Sequence, residues 1–311
     1  MKKLLSLFVA VTMIFATACT NQNNSSSDLS SQKTEATKTT DRFGTEYDIP
    51  KDIEKIVSCS PSNTEILVGL GLADKIVAID QFSADIDGVK DVETKLDMQE
   101  LNTEKLIELT PDIIFLNEIN FAGDDDKYKV LKDAGIMLVN IQSATSLDDI
   151  KSDIKLLSEI TRKTEKGNEF TKEIDDTIEK IKAIEKPDTK TKVYFEISAA
   201  PYFYSFGSGT YLNEIIELCG AENIYATEKG WIANTEESIL TGNPDVILSS
   251  VSYDGYSYTE ILTRKGWDAI NAVSNNKVFL IDPNASSRAS QNVVKGMKEI
   301  ANAIYPNTFE K

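Results

Sequence analysis

The sequence predicts an α/β protein of two lobes, each a central, mostly parallel sheet flanked by helices, joined by one long backbone helix. Three observations predict this. Short, continuous apolar runs fall into two series, a long amphipathic stretch separates the series, and a Thr-Glu…Pro-Asp segment occurs once in each.

In the first series the runs are 56–59, 76–79, 113–116 and 136–139, with helical patterns over 64–69, 104–109 and 127–134 between them. Runs that are apolar at every position, not at alternate ones, belong to strands buried on both faces, as in a parallel sheet covered by helices. The second series has runs over 193–197, 246–249 and 278–281, and helices over 211–219, 237–241 and 293–304. Between the two, Ile150, Ile154, Leu157 and Ile160, then Phe170, Ile174, Ile178 and Ile181, recur at spacings of three and four. That places one apolar stripe along a helix. Unbroken over 150–182 it would be about 48 Å long at roughly 1.5 Å per residue; Gly167 either bends it or separates two helices. The expected boundaries are an N-terminal lobe over 41–146, a connection over 147–186 and a C-terminal lobe over 187–311.

The repeated segment reads Thr103-Glu104, Leu106-Ile107, Pro111-Asp112-Ile113-Ile114 in the first lobe and Thr235-Glu236-Glu237, Ile239-Leu240, Pro244-Asp245-Val246-Ile247 in the second. In each, a polar capping residue opens a short helix, Pro ends it and a buried strand begins. Glu104 and Glu237 each precede the Pro by seven residues, so they take equivalent places on the two lobes. Read alone, both are solvated first-turn acids favoured by the helix dipole. Cys59 and Cys219, at a strand end and in a helix of different lobes, read as unpaired buried small hydrophobes.

The chain opens with Met1-Lys2-Lys3, an apolar run over 4–15, and Ala16-Thr17-Ala18 before Cys19. Basic, apolar and small segments in that order form a secretory signal over 1–18, and the apolar run is shorter than the ~20 residues of a spanning helix. No later segment reads as transmembrane. Residues 20–40 are rich in Asn, Ser, Thr, Gln and Lys, with Leu29 the one large aliphatic residue. They bury too little to offset their ordering entropy, and 19–40 is expected to be a tether. The 311 residues carry a formal charge of −17, or −19 without Lys2 and Lys3, which disfavours nucleic acid as a partner. The absence of His excludes His-dependent catalysis and the commonest metal ligand. Ser62 and Ser290 have no His to activate them, and no paired-acid motif stands out, so the chain is not expected to be an enzyme or to carry an intrinsic cofactor.

The segment ending at Cys19 resembles the lipobox of bacterial lipoproteins, in which that Cys receives a diacylglyceryl group; two acyl chains anchor stably where one does not. A second resemblance spans the chain. Ile56-Val57-Ser58-Cys59-Ser60-Pro61-Ser62-Asn63-Thr64-Glu65-Ile66-Leu67 with Leu70-Gly71-Leu72, the stretch 102–112, Gly207-Ser208-Gly209-Thr210-Tyr211-Leu212-Asn213-Glu214, Gly220-Ala221-Glu222-Asn223-Ile224, Gly266-Trp267, 278–282 and Ser287-Arg288-Ala289-Ser290 resemble the class III substrate-binding proteins of ABC importers. These are receptors for ferric siderophores, haem and cobalamin.

The resemblance implies two rigid lobes that close little on ligand, and a monomer that docks on a permease dimer driven by cytoplasmic ATPases. It implies that Glu104 and Glu237 pair with Arg residues of the permease, one glutamate per lobe, with Glu236 the neighbouring candidate. It places Phe82, Asn117, Tyr202, Tyr204, Phe206, Trp231 and Arg288 in or beside the cleft, together with the loop 284–288; the Tyr-rich stretch 252–259, with Tyr256, reads either as a loop over the cleft supplying contacts or as a surface loop. Taken singly each aromatic reads as packing. Tyr202, Tyr204 and Phe206 alternate, however, and share one face if extended, while Trp231 sits in what looks like a loop. Arg288, one of four Arg, reads equally as a ligand contact or as a lobe-bracing ion pair. One cleft Arg is few for a catecholate complex. The expected ligand is therefore a ferric siderophore of hydroxamate type or another iron complex, with cobalamin the alternative and haem, held by a Tyr, behind them. A bare-metal receptor is disfavoured by the lack of His. Lipid attachment places the protein on the outer face of the membrane of a Gram-positive-type cell.

Overall fold

The computed structural model describes residues 37–121, 127–253 and 256–309. Its strands are β1 (Lys38–Thr40), β2 (Glu46–Asp48), β3 (Ile56–Ser58), β4 (Ile76–Asp80), β5 (Thr94–Leu96), β6 (Ile113–Asn117), β7 (Met137–Ile141), β8 (Lys192–Glu196), β9 (Tyr204–Phe206), β10 (Glu222–Asn223), β11 (Trp231–Ala233), β12 (Val246–Ser249) and β13 (Val278–Leu280). Its helices are α1 (Pro61–Gly69), α2 (Thr103–Leu109), α3 (Glu118–Phe121), α4 (Lys129–Asp133), α5 (Leu147–Ile160), α6 (Thr164–Lys182), α7 (Tyr211–Leu218), α8 (Glu236–Gly242), α9 (Thr259–Leu262), α10 (Asn271–Ser274), α11 (Pro283–Ser287) and α12 (Val293–Ile304). The N-terminal lobe is a parallel sheet of order β5-β4-β3-β6-β7 and the C-terminal lobe a parallel sheet of order β10-β8-β12-β13. The continuous apolar runs fill both sheets: Ile56, Val57, Ile113, Ile114, Phe115, Val193, Tyr194, Phe195, Ile247 and Leu248 are closed to solvent.

The two sheets repeat one plan. Asn102 caps α2 and Thr235 caps α8; Thr110 and Asn243 end them in the left-handed conformation at φ 50° and 42°. Asp112 then accepts the backbone N–H of Lys55 at 2.9 Å, and Asp245 that of Lys192 at 2.9 Å. Each carboxylate ties the start of its own strand to the start of the central strand beside it. The echo read in the sequence is thus a structural repeat, and it sets Glu104 and Glu237 in the same helical position, the second residue after the cap.

Three expectations are corrected. The stretch 147–186 does not form one long helix. Arg162 takes φ 58°, the chain turns back, and α5 and α6 lie antiparallel, with Lys151 paired to Asp175 at 2.7 Å. A Cβ on Gly167 would lie 2.2 Å from the Ser158 hydroxyl oxygen, so glycine permits the close crossing. The 19-residue α6, about 28 Å long, is the connection, and α5 covers the N-terminal lobe. The folded part also begins before residue 41. β1 pairs with β2, buried Thr39 bonds to Glu159, and Arg42 reaches Asp153 at 2.7 Å and the carbonyls of Gln142 and Ser143. Finally, Trp231 lies on a strand, not in a loop, because β11 pairs antiparallel with β9.

Cys59 and Cys219 are buried and unpaired. Among the described residues no helix is long and apolar enough to cross a membrane. The signal, Cys19 and the tether to residue 36 lie outside the described residues.

Candidate functional site

The carboxyl ends of the two parallel sheets meet, as expected of an α/β ligand site. β4 runs into Asp80, whose buried carboxylate accepts the N–H of Phe82 at 2.8 Å and the Ser83 hydroxyl. Burial pushes the Asp80 carboxyl up from its ordinary pKa. That turn throws Phe82 outward, 56% exposed. From the other lobe, α11 follows β13 and delivers Asn284, Ser287 and Arg288. Together with Pro61, Ser62, Phe82 and Asp85 they line a pocket of about 390 Å³.

One wall of this pocket is an interlobe latch. The Arg288 guanidinium donates to Glu65 at 3.0 Å and to Asp85 at 2.7 Å. Glu65 is buried on α1 and also accepts the Ser290 hydroxyl at 2.5 Å and the Asn292 amide at 2.9 Å. The Gln291 amide donates to the Glu65 carbonyl at 2.9 Å, the backbone N–H of Ala289 to the Ser62 hydroxyl at 3.1 Å, and the Asn284 amide to Asp85 at 3.2 Å. Arg288 therefore braces the lobes and walls the pocket at once. Burial alone would raise the Asp85 pKa, but the hydrogen bond and charge of Arg288 outweigh it and hold the carboxyl below its usual range.

The aromatic residues sort differently from expectation. Ile197 and Ser198, just past β8, bond to Tyr204, so the two-stranded β9–β11 ribbon stands at the sheet's carboxyl end. It presents Tyr204 and Trp231, 39% and 47% exposed, with Tyr202 at 82% just before it. Phe206 is excluded from the cleft surface. It faces the same side of β9 as Tyr204, but Trp231, its register partner, packs edge-on over it at 5.9 Å while Phe195 fills its other side at 5.2 Å. Asn117 is also corrected. Its amide donates to the Cys59 carbonyl at 2.6 Å and its oxygen accepts the N–H of Asn120 at 3.1 Å, so it closes the loops beyond β6 from within. Tyr256 turns inward, its hydroxyl against Ser249 at 2.9 Å and Glu196 at 3.2 Å; Tyr253 and Tyr258 are the exposed tyrosines of that loop.

Beneath that loop Arg264 makes a bidentate pair with fully buried Glu196, at 2.5 and 2.9 Å. Its guanidinium lies 4.5 Å from the Trp267 ring centroid and 5.5 Å from that of Phe203. The Trp267 indole N–H in turn donates to Glu236 at 2.7 Å. That bond occupies one oxygen of Glu236, which, like Glu237 beside it and Glu104 on α2, is exposed.

Sequence reasoning missed Glu65 and Asp85. The signal for Glu65 was an acid within the apolar 64–69 helix; Asp85, in an unremarkable loop, gave none. A larger hollow of about 1000 Å³ lies against α6 and α12, where Lys298 and Lys295 are paired with Glu173 and Asp282; like the smaller pocket it is lined by none of the exposed Tyr or Trp. Among the described residues no group of three or more His, Cys, Asp or Glu could hold a metal ion.

Comparison with known proteins places this geometry. Residues 56–285 match the periplasmic binding protein family. The chain is 34% identical, over its whole length and that of the relative, to an uncharacterized ABC transporter substrate-binding lipoprotein, YvrC, of Bacillus subtilis. It is 24% identical to a vitamin B12-binding protein of Vibrio parahaemolyticus, over 80% of this chain and 88% of that one. Among solved structures, a possible iron-binding (periplasmic solute-binding) protein of Staphylococcus epidermidis is similar with a TM-score of 0.68 at 32% identity, covering 82% of this chain and all of that one. The chain therefore belongs to the periplasmic binding protein family, as a class III substrate-binding protein of an ABC transporter.

Proposed function

We propose that the protein is a lipid-anchored extracytoplasmic receptor. It captures a ferric siderophore or similar iron complex between its lobes and delivers it to a permease dimer powered by cytoplasmic ATPases. The observation that carries the ligand class is the set of exposed aromatic side chains, Phe82 lining the polar-walled pocket on one lobe and Tyr202, Tyr204 and Trp231 on the other. Rings facing solvent beside a few hydrogen-bonding groups suit a bulky, partly apolar complex. The name of the Staphylococcus epidermidis relative supports iron; that of the Vibrio relative supports the second reading, a corrinoid such as cobalamin.

Docking is assigned to Glu104 and Glu237. They occupy equivalent helical positions on the two lobes, whereas Glu236 stands one position earlier and already accepts the Trp267 indole N–H. One carboxylate per lobe pairing with permease arginines would fix orientation more than it adds affinity. The anchor is Cys19, supported by the lipoprotein name of the Bacillus subtilis relative.

The reading is tested by incubating the mature chain with ferric hydroxamates, cobalamin and haem, separately, and measuring the coloured ligand retained after gel filtration. Retention of a ferric hydroxamate or cobalamin, with Trp231 fluorescence quenched and with affinity reduced about tenfold in Trp231→Ala, is expected. Retention of none of them, or catalytic turnover of a conjugate, would refute it.

A further inference from the structure

The pocket wall carries one cation, and that cation is already committed. Arg288 donates through one terminal nitrogen to Glu65 and through the other to Asp85. One positive charge between two carboxylates leaves the wall with a net negative charge. The exposure of the three groups matters more than their sum. The Asp85 side chain is 55% exposed, against 11% for Arg288 and 6% for Glu65, so the charge that an incoming ligand meets is the carboxylate. Arg288 is not free to turn toward a ligand either, because doing so breaks the brace between lobes and leaves Glu65 and Asp85 without their cation. Elsewhere at the cleft, Asp80 lies under Phe82, and the segment leading to Trp231 carries Glu228 and Lys229 side by side, which adds no net charge.

Resting on the receptor reading above, we propose that the cleft selects its ligand by charge: it takes neutral or cationic metal complexes and rejects anionic ones, with Asp85 as the residue that sets the preference. A ferric tris-hydroxamate or a corrinoid meets this condition; ferric catecholates and ferric citrate do not. At about 12 Å from the carboxylate and an effective dielectric constant of about 20, one unit of ligand charge changes affinity roughly tenfold. The effect is screened once the Debye length falls to about 8 Å at physiological ionic strength.

The test holds ligand shape constant and varies charge. One set is a ferric tris-hydroxamate bearing a free amine, its N-acetyl derivative and its N-succinyl derivative, with net charges of about +1, 0 and −1 at neutral pH. A second is aquocobalamin, cyanocobalamin and the monocarboxylate of cyanocobalamin. Affinities of the mature chain are measured at low and at physiological salt. In whichever set binds, the anionic member is expected to be about tenfold weaker than the neutral one, the gap narrowing with salt and shrinking several-fold in Asp85→Asn. An anionic member that binds as tightly as the neutral one overturns the charge selection while the receptor reading stands. A gap that survives unchanged in Asp85→Asn removes Asp85 from its role. Retention of no member of either set overturns the receptor reading and the selection with it.

Discussion

Replacing Glu65 by Gln separates the buried arm of the latch from its exposed arm. Gln keeps the shape of Glu65 but removes the charge that three donors share: Arg288 at 3.0 Å, Ser290 at 2.5 Å and Asn292 at 2.9 Å. Ser290 can rotate its hydroxyl and exposed Asn292 can turn its amide, so each contact survives as a neutral one. A charge-assisted bond exceeds a neutral one by about 1 kcal/mol, and three of them predict a loss of about 3 kcal/mol, the low end of the 3–5 kcal/mol typical of breaking a buried pair. Asp85 supplies the internal comparison, since it holds the same guanidinium at 2.7 Å with a half-exposed side chain; Asp85→Asn should cost less than about 1 kcal/mol. Urea titration at pH 7 measures both. With a slope of about 3 kcal/mol/M, Glu65→Gln should move the midpoint by about 1 M. A loss under about 1 kcal/mol, or an equal loss in Asp85→Asn, would refute the idea that burial gives the Glu65 arm its strength.

Two further outcomes are expected. Reversing both docking charges, Glu104→Lys with Glu237→Lys, should abolish uptake by cells while ligand affinity of the isolated protein stays within about threefold; a parallel loss of affinity would assign both residues to the cleft. Asp153 is pushed up by burial to about 7, against the opposing charge of Arg42. Between about pH 3.9, where the unfolded carboxyl titrates, and about pH 7, the folded chain holds a proton that the unfolded chain has released. Stability from this group therefore falls as pH rises through that window and levels off above it. Asp153→Asn should remove that part of the slope in melts at pH 5 and pH 8, and an unchanged slope would count against it.

The sheets were legible because burial on both faces writes itself as uninterrupted apolar runs, and β12 and α12 fall where those runs lie. The repeat around Glu104 and Glu237 was legible because caps and prolines are local. What failed was non-local. The stripe from Ile150 to Ile181 has the same period in one rod as in two antiparallel helices; what distinguishes them is the turn at Arg162 and contacts across it, such as Gly167 on Ser158. Phe206 and Tyr204 alternate identically in sequence; the partner strand, which brings Trp231 over one and not the other, decides which is buried. Asn117 reads as a polar strand end, and its real partners, the Cys59 carbonyl just past β3 and Asn120 on α3, approach it in a way that no spacing encodes. Arg288 was placed beside the cleft, but Asp85, the acid that commits it, lies more than 200 residues away.

The Arg264 cluster joins two surfaces that would otherwise be independent. From Tyr256 in the loop beyond β12, contacts run through Glu196 to Arg264, across the Trp267 ring and along its N–H to Glu236, one residue from Glu237. The loop beyond β12 and the first turn of α8 thus share one buried ion pair. Removing the Arg264 guanidinium would therefore release Tyr256 and Glu236 together.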